Sequence, residues 1–107
     1  MRRGDVHWYS FAPPDKRRPV VILTRQPALS FLTTVTVAPL TTRLRATRSY
    51  VRVPRADGLR EESAVNLDGI QTIPSDQLGP FIASLPPARV RQIEAAIAYA
   101  LGLDRDV

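Results

Sequence analysis

Arg18 and Thr41 are the residues of this chain whose types and placement could do chemistry together. Arg18 stands immediately before Pro19-Val20-Val21-Ile22-Leu23, and Thr41 immediately after Thr36-Val37-Ala38-Pro39-Leu40. Both runs are rich in β-branched and other apolar residues and read as buried strands. In an antiparallel pair the start of one strand lies beside the end of the other. A permanent cation and a hydroxyl then share one rim of a sheet. A guanidinium presents a planar fork of donors suited to phosphate oxygens, and a hydroxyl adds one more hydrogen bond. Such a rim is a place to hold a phosphate.

Further cations stand close by in the sequence. Lys16 and Arg17 lead into Arg18, and Arg43 and Arg45 follow Thr41 and Thr42. Together they could form a groove that tracks a phosphate backbone; each taken alone reads as a solvated charge. The wider charge pattern points the same way. The chain has 107 residues and a net charge of +5. Residues 1–60 hold twelve of the fifteen basic residues and three of the ten acidic ones. An arginine-rich half suggests a polyanionic partner, most often nucleic acid. A GC-rich genome would also favour arginine over lysine, but it does not account for the asymmetry between the halves.

Composition excludes several classes. The length predicts one domain spanning residues 1–107. There is no cysteine, so neither a disulfide framework nor a thiolate metal site is available. One histidine cannot supply a two-imidazole acid/base pair, and no metal or other cofactor is expected. No apolar stretch is long enough to span a membrane and no signal peptide is visible, so the expected compartment is the cytoplasm.

The elements that must position the rim follow from residue patterns. Strands are predicted over residues 5–11, 19–24, 33–40, 48–53, 63–68, 71–74 and 81–85, the last two being short. Pro19 fits only at the start of its strand, because it has no N–H to donate. Residues 12–17, 41–47 and 54–62 read as loops, with a turn at Asp57-Gly58, and residues 27–31 as a turn or one helical turn. Pro87 suits the first turn of a helix. Val90, Ile93, Ile97 and Leu101 then recur on one face, and Gly102 caps the end. Many short strands and one C-terminal helix give a mainly β (α+β) fold, a small antiparallel β-barrel with a helix packed on it. In the first strand Trp8 reads as core, and His7 as packed or exposed rather than catalytic.

Five pieces of this sequence, in order along nearly its whole length, resemble the MazF/PemK family of toxin ribonucleases. They are Arg3-Gly4-Asp5-Val6-His7-Trp8, Arg17-Arg18-Pro19-Val20-Val21-Ile22-Leu23, Val37-Ala38-Pro39-Leu40-Thr41, the block from Ser63 through Asp68-Gly69-Ile70-Gln71-Thr72-Ile73, and Ala100-Leu101-Gly102-Leu103. The resemblance implies an SH3-like barrel that forms a homodimer. It implies a growth-inhibiting toxin that cleaves single-stranded RNA without metal, and a cognate antitoxin whose flexible C-terminal segment covers the site. It places the family's catalytic arginine at Arg18 and its catalytic threonine at Thr41. The chain also departs from the family. Gln71 stands where many members have arginine, and Asn66 where some have another, although Asp68 is kept; the loop before Arg18 is short.

Cleaving RNA without metal uses the 2′-hydroxyl as an internal nucleophile. Its proton must be taken, charge on the phosphoryl oxygens stabilised, and the leaving 5′-oxygen protonated. Arg18 could meet the second need and Thr41 could orient the phosphate. Arginine is a poor base, so the proton would pass to a carboxylate, Asp68 or Asp15, or to water. Asp68 could equally cap a turn with Gly69, and Thr41-Thr42 could simply be a hydrogen-bonding pair at a strand end. Two other readings stay open: a barrel that binds nucleic acid without cutting it, and a protein-interaction module.

Overall fold

A computed structural model describes residues 1–14 and 16–104. Among them seven strands form one mostly antiparallel sheet, curled into a half-barrel and followed by one helix. The strands are β1 (Asp5–Ser10), β2 (Arg17–Ile22), β3 (Thr34–Thr41), β4 (Tyr50–Val53), β5 (Ser63–Asn66), β6 (Gln71–Pro74) and β7 (Phe81–Ser84); the helix α1 is Pro87–Ala100. The order across the sheet is β4-β5-β3-β2-β1-β7, with β6 also on β3.

β3 is the hub. One edge pairs with β2, placing Val20 opposite Pro39 and Ile22 opposite Val37. The other edge is divided. Thr34 to Val37 pair with β6, and Leu40 and Thr41 pair with β5. Pro39 stands between those two ladders, where a residue without an N–H is tolerated. The turn joining β5 to β6 crosses this point. A Cβ on Gly69 would come within 3.1 Å of the Pro39 ring, so the turn passes close because Gly69 has no side chain.

Both faces of β2 are covered, which explains an apolar run without alternation. Val21 and Leu23 join Val6, Leu40, Val53, Val65, Leu67 and the helix residues Ile93 and Ala96. Val20 and Ile22 turn the other way, to Val35, Val37 and Ile73, with Tyr9 and Phe11 over them. Fully burying one such side chain contributes roughly 1.5–3 kcal/mol.

No ladder joins β4 to β7 among the described residues. A loop spans the seam instead. The turn Arg55–Asp57 brings the Asp57 carboxylate to the Arg89 Nε of α1 at 2.7 Å, and this ion pair is mostly buried. Gly58 then presses on β7: a Cβ there would lie 2.9 Å from Ala83, and its φ of +107° is left-handed.

Element ends differ from the sequence reading for local reasons. β5 stops at Asn66 rather than Asp68, because the Asn66 side chain accepts the Asp68 N–H at 2.9 Å and opens a turn of 3-10 helix, Leu67–Gly69. β4 starts at Tyr50 rather than Arg48, because the Tyr50 N–H turns back to the Thr47 carbonyl. Thr41 is the last residue of β3, not the first of the loop. On α1, Ile93 is buried and Val90 and Ile97 half-buried, but Leu101 lies past the helix end and is exposed. The N–H of Gly102 bonds to Tyr99 and that of Leu103 to Ala98, a glycine-based helix stop.

Candidate active site

Continuing the β2–β3 register two residues beyond Val20 and Pro39 sets Arg18 opposite Thr41, on one face of the sheet. Arg18 is held from its other side by β1, where it pairs with Tyr9, and its guanidinium carbon lies 5.7 Å from the Phe11 ring centre. Thr41 is fixed by its own chain. The Arg43 N–H donates to Thr41 Oγ1 at 3.0 Å. The hydroxyl proton is thereby left for an acceptor outside the turn.

Two clefts meet at this rim. A larger one of about 930 Å³ is lined by Lys16, Arg17, Arg18, Thr41 and Thr42 on its polar side, together with Arg60, Glu61 and Ser63. Its apolar side is Trp8, Leu59, Phe81 and Ile82. A smaller one of about 410 Å³ is lined by Arg18, Thr41, Thr42, Arg43, Arg45, Tyr50 and Asn66. Arg18, Thr41 and Thr42 belong to both. A chain of nucleotides lying across the rim would therefore have a cleft on either side of one central phosphate.

A family model for the PemK-like, MazF-like toxin of type II toxin–antitoxin systems matches residues 2–101. The chain belongs to the MazF/PemK toxin family. It is 43% identical over 90 residues, 84% of this chain and 87% of the relative, to endoribonuclease MazF3 of Mycobacterium tuberculosis. It is 36% identical over 104 residues to probable endoribonuclease MazF5 of the same organism, covering 96% of this chain and 94% of that one. Among solved structures, the Mycobacterium tuberculosis toxin MazF-mt6 superposes with a TM-score of 0.85 at 40% identity, covering 94% of this chain and 98% of that one. An endoribonuclease in complex with its cognate antitoxin, from a mycobacterial species, superposes at 0.86 with 29% identity, covering 96% of each.

Within this MazF fold the sequence-predicted residues divide into two groups. Arg18, Thr41, Thr42, Lys16, Arg17, Arg43, Arg45 and Asn66 line one or both clefts. Asp68 and Gln71 line neither. The Asp68 carboxylate accepts the buried Ser49 hydroxyl at 2.7 Å, and its N–H is tied to Asn66, so it holds the β5–β6 turn. Gln71 opens β6 and pairs with Val37. Asp15 lies outside the described residues.

Other cleft residues were not legible in the sequence as such. Trp8, expected in the core, is only half-buried and lines the larger cleft, with the Arg17 guanidinium 4.4 Å above its ring centre. Its large apolar ring did not show how far along β1 the core extends. Glu61 and Glu62 diverge, as loop neighbours do: Glu62 pairs with Arg52, and Glu61 lines the cleft. Arg60 and Phe81 reach it from loop and edge strand, positions no spacing rule connects to Arg18. His7 is packed: its Nδ1 faces the Gly79 carbonyl at 3.0 Å, and its ring meets Phe81 edge-on.

Proposed function

We propose that this MazF-family toxin is a metal-independent endoribonuclease that cleaves single-stranded RNA by attack of the 2′-hydroxyl on the adjacent phosphodiester. The observation that supports the reading is that Arg18, Thr41 and Thr42 line both cation-lined clefts, a shared rim suited to holding one phosphate. Arg18 stabilises charge developing on the phosphoryl oxygens. Thr41 donates its hydroxyl proton to one of them and fixes the phosphate in line. Glu61, the carboxylate lining the same cleft, takes the proton of the attacking 2′-hydroxyl. The bond that forms is 2′-oxygen to phosphorus, and the bond that breaks is phosphorus to 5′-oxygen, which takes a proton from water as it leaves while Glu61 returns its own to solvent. The products are a 2′,3′-cyclic phosphate and a 5′-hydroxyl.

The chain is expected to act as a single-domain homodimer in the cytoplasm, held in check by a cognate antitoxin whose flexible C-terminal segment covers the site. Among the described residues no helix is long and apolar enough to cross a membrane. Incubating the pure protein with single-stranded RNA in excess chelator tests the assignment. Cleavage with cyclic-phosphate ends supports it; binding without cleavage supports a non-catalytic nucleic-acid barrel; neither supports a protein-interaction module.

A further inference from the structure

The larger cleft has an apolar, aromatic side that the chemistry at the rim does not use. Phe81 leaves 57% of its surface exposed there, yet it is not loose. The His7 ring meets it edge-on, with centres 5.7 Å apart. A carbonyl can only accept, so His7 donates Nδ1–H to Gly79 and its ring is fixed in turn. Trp8 is pinned by the same segment. Its N–H donates to the Pro80 carbonyl at 3.0 Å and its carbonyl accepts the Gly79 N–H at 2.7 Å. Gly79 is needed for this approach, since a Cβ would lie 2.9 Å from the Trp8 oxygen. Two aromatic rings are thus held at one cleft by backbone bonds and one histidine. The face of Trp8 already receives a planar cation, Arg17.

We infer that this aromatic side is a base subsite: the base of a nucleotide flanking the scissile phosphate enters the cleft and stacks on Trp8, with Phe81 as the other wall, and Arg17 is a placeholder that the base displaces. The inference rests on the reading that Arg18 and Thr41 hold that phosphate. An RNA base is the occupant because the cleft opens directly onto Arg18, Thr41 and Thr42, because Lys16, Arg17 and Arg60 line it with positive charge, and because about 930 Å³ accommodates a nucleotide. Stacking suits every base and strengthens with ring size. Once moved from Trp8, Arg17 is available to a neighbouring phosphate. The smaller cleft lacks Trp8 and Phe81 and presents Arg43, Arg45 and Asn66 beside one half-buried aromatic, Tyr50. The two sides of the cut would therefore be read differently, the larger cleft offering two rings and the smaller one mainly polar and charged groups.

The test uses random-sequence single-stranded RNA, with cut sites read by sequencing, and the fluorescence of Trp8, the only tryptophan. Fully 2′-O-methylated RNA of random sequence, which has no free nucleophile, should quench Trp8 in a saturable manner. Phe81→Tyr should cut with the wild-type preference. Phe81→Ala and Phe81→Leu should lose about tenfold in kcat/KM and lose base preference at one position beside the cut, because leucine restores apolar bulk but no ring. Wild-type rate and preference in Phe81→Ala, or in Phe81→Leu, would overturn the inference, as would unchanged Trp8 emission. A wild type that cuts no RNA overturns the catalytic reading instead. In that protein a saturable quench still supports the base subsite, and its absence overturns it.

Discussion

Thr41 takes its orientation from Arg43, whose backbone N–H donates to Thr41 Oγ1 at 3.0 Å. The hydroxyl proton is therefore left for an acceptor outside the turn. Thr41→Ser keeps both bonds and should keep activity within about tenfold. Thr41→Val keeps the shape and removes both, and should cost about 10²–10³ in kcat, the usual loss for one transition-state donor. Single-turnover cleavage of labelled RNA measures the difference.

Arg18→Ala should abolish cleavage while leaving the circular-dichroism spectrum unchanged. A lost transition-state donor of this kind is worth on the order of 3–4 kcal/mol of barrier. Arg18→Lys should be poor as well, since an ammonium cannot present the fork. A folded Arg18→Ala protein with wild-type rate would remove Arg18 from the site.

The two carboxylates should separate rate from stability. Glu61→Gln lines the cleft without a base and should slow cleavage by about 10²–10⁴ with little change in unfolding. Asp68→Ala leaves the buried Ser49 hydroxyl without its strongest partner and should cost about 1–3 kcal/mol in denaturant unfolding. The opposite pattern would make Asp68 the proton acceptor and return Glu61 to a surface role.

Substrate binding should weaken steeply as salt rises. Lys16, Arg17, Arg18, Arg43, Arg45 and Arg60 all line the two clefts, and each phosphate they neutralise releases counterions. For single strands the slope of log K against log salt is about −0.7 per phosphate contact, and Arg45→Ala should reduce it by roughly one contact. A flat salt dependence would mean the strand lies elsewhere.

The seam between β4 and β7 should be a point of fragility far from the chemistry. Asp57→Ala takes the carboxylate from the mostly buried Arg89 guanidinium, leaving it the Gln92 side-chain oxygen, and should cost roughly 2–4 kcal/mol. Gly58→Ala meets both a left-handed backbone and Ala83, and should be worse than an ordinary surface change by at least about 1 kcal/mol. Urea titrations of both variants check this; a Gly58→Ala protein as stable as wild type would mean the loop relaxes freely.

All seven strands and the helix were legible, because runs such as Val20-Val21-Ile22 and Val35-Thr36-Val37 carry strong local preference, although β2 begins at Arg17 and holds Pro19 inside it rather than at its start. So was the nearness of Arg18 to Thr41, which follows when the β2–β3 ladder is carried two residues past Val20 and Pro39. What local pattern could not give was set by distant partners. Asp68 turns to Ser49, nineteen residues away, and so leaves the site for the fold. Trp8 meets the cleft because β1 pairs with β7 from the far end of the chain. The split edge of β3 has no sequence mark beyond Pro39 and Gly69, whose joint meaning appears only once the turn lies across the strand.

The pairing of β1 with β7 also sets an order of events during synthesis. Arg18 and Thr41 leave the ribosome early, but Phe81, one wall of the larger cleft, and the helix that covers the core come last. A nascent chain stalled before Phe81 carries the reactive residues without the groove that would align a substrate. The larger cleft is thereby complete only once β7 has emerged and docked on β1.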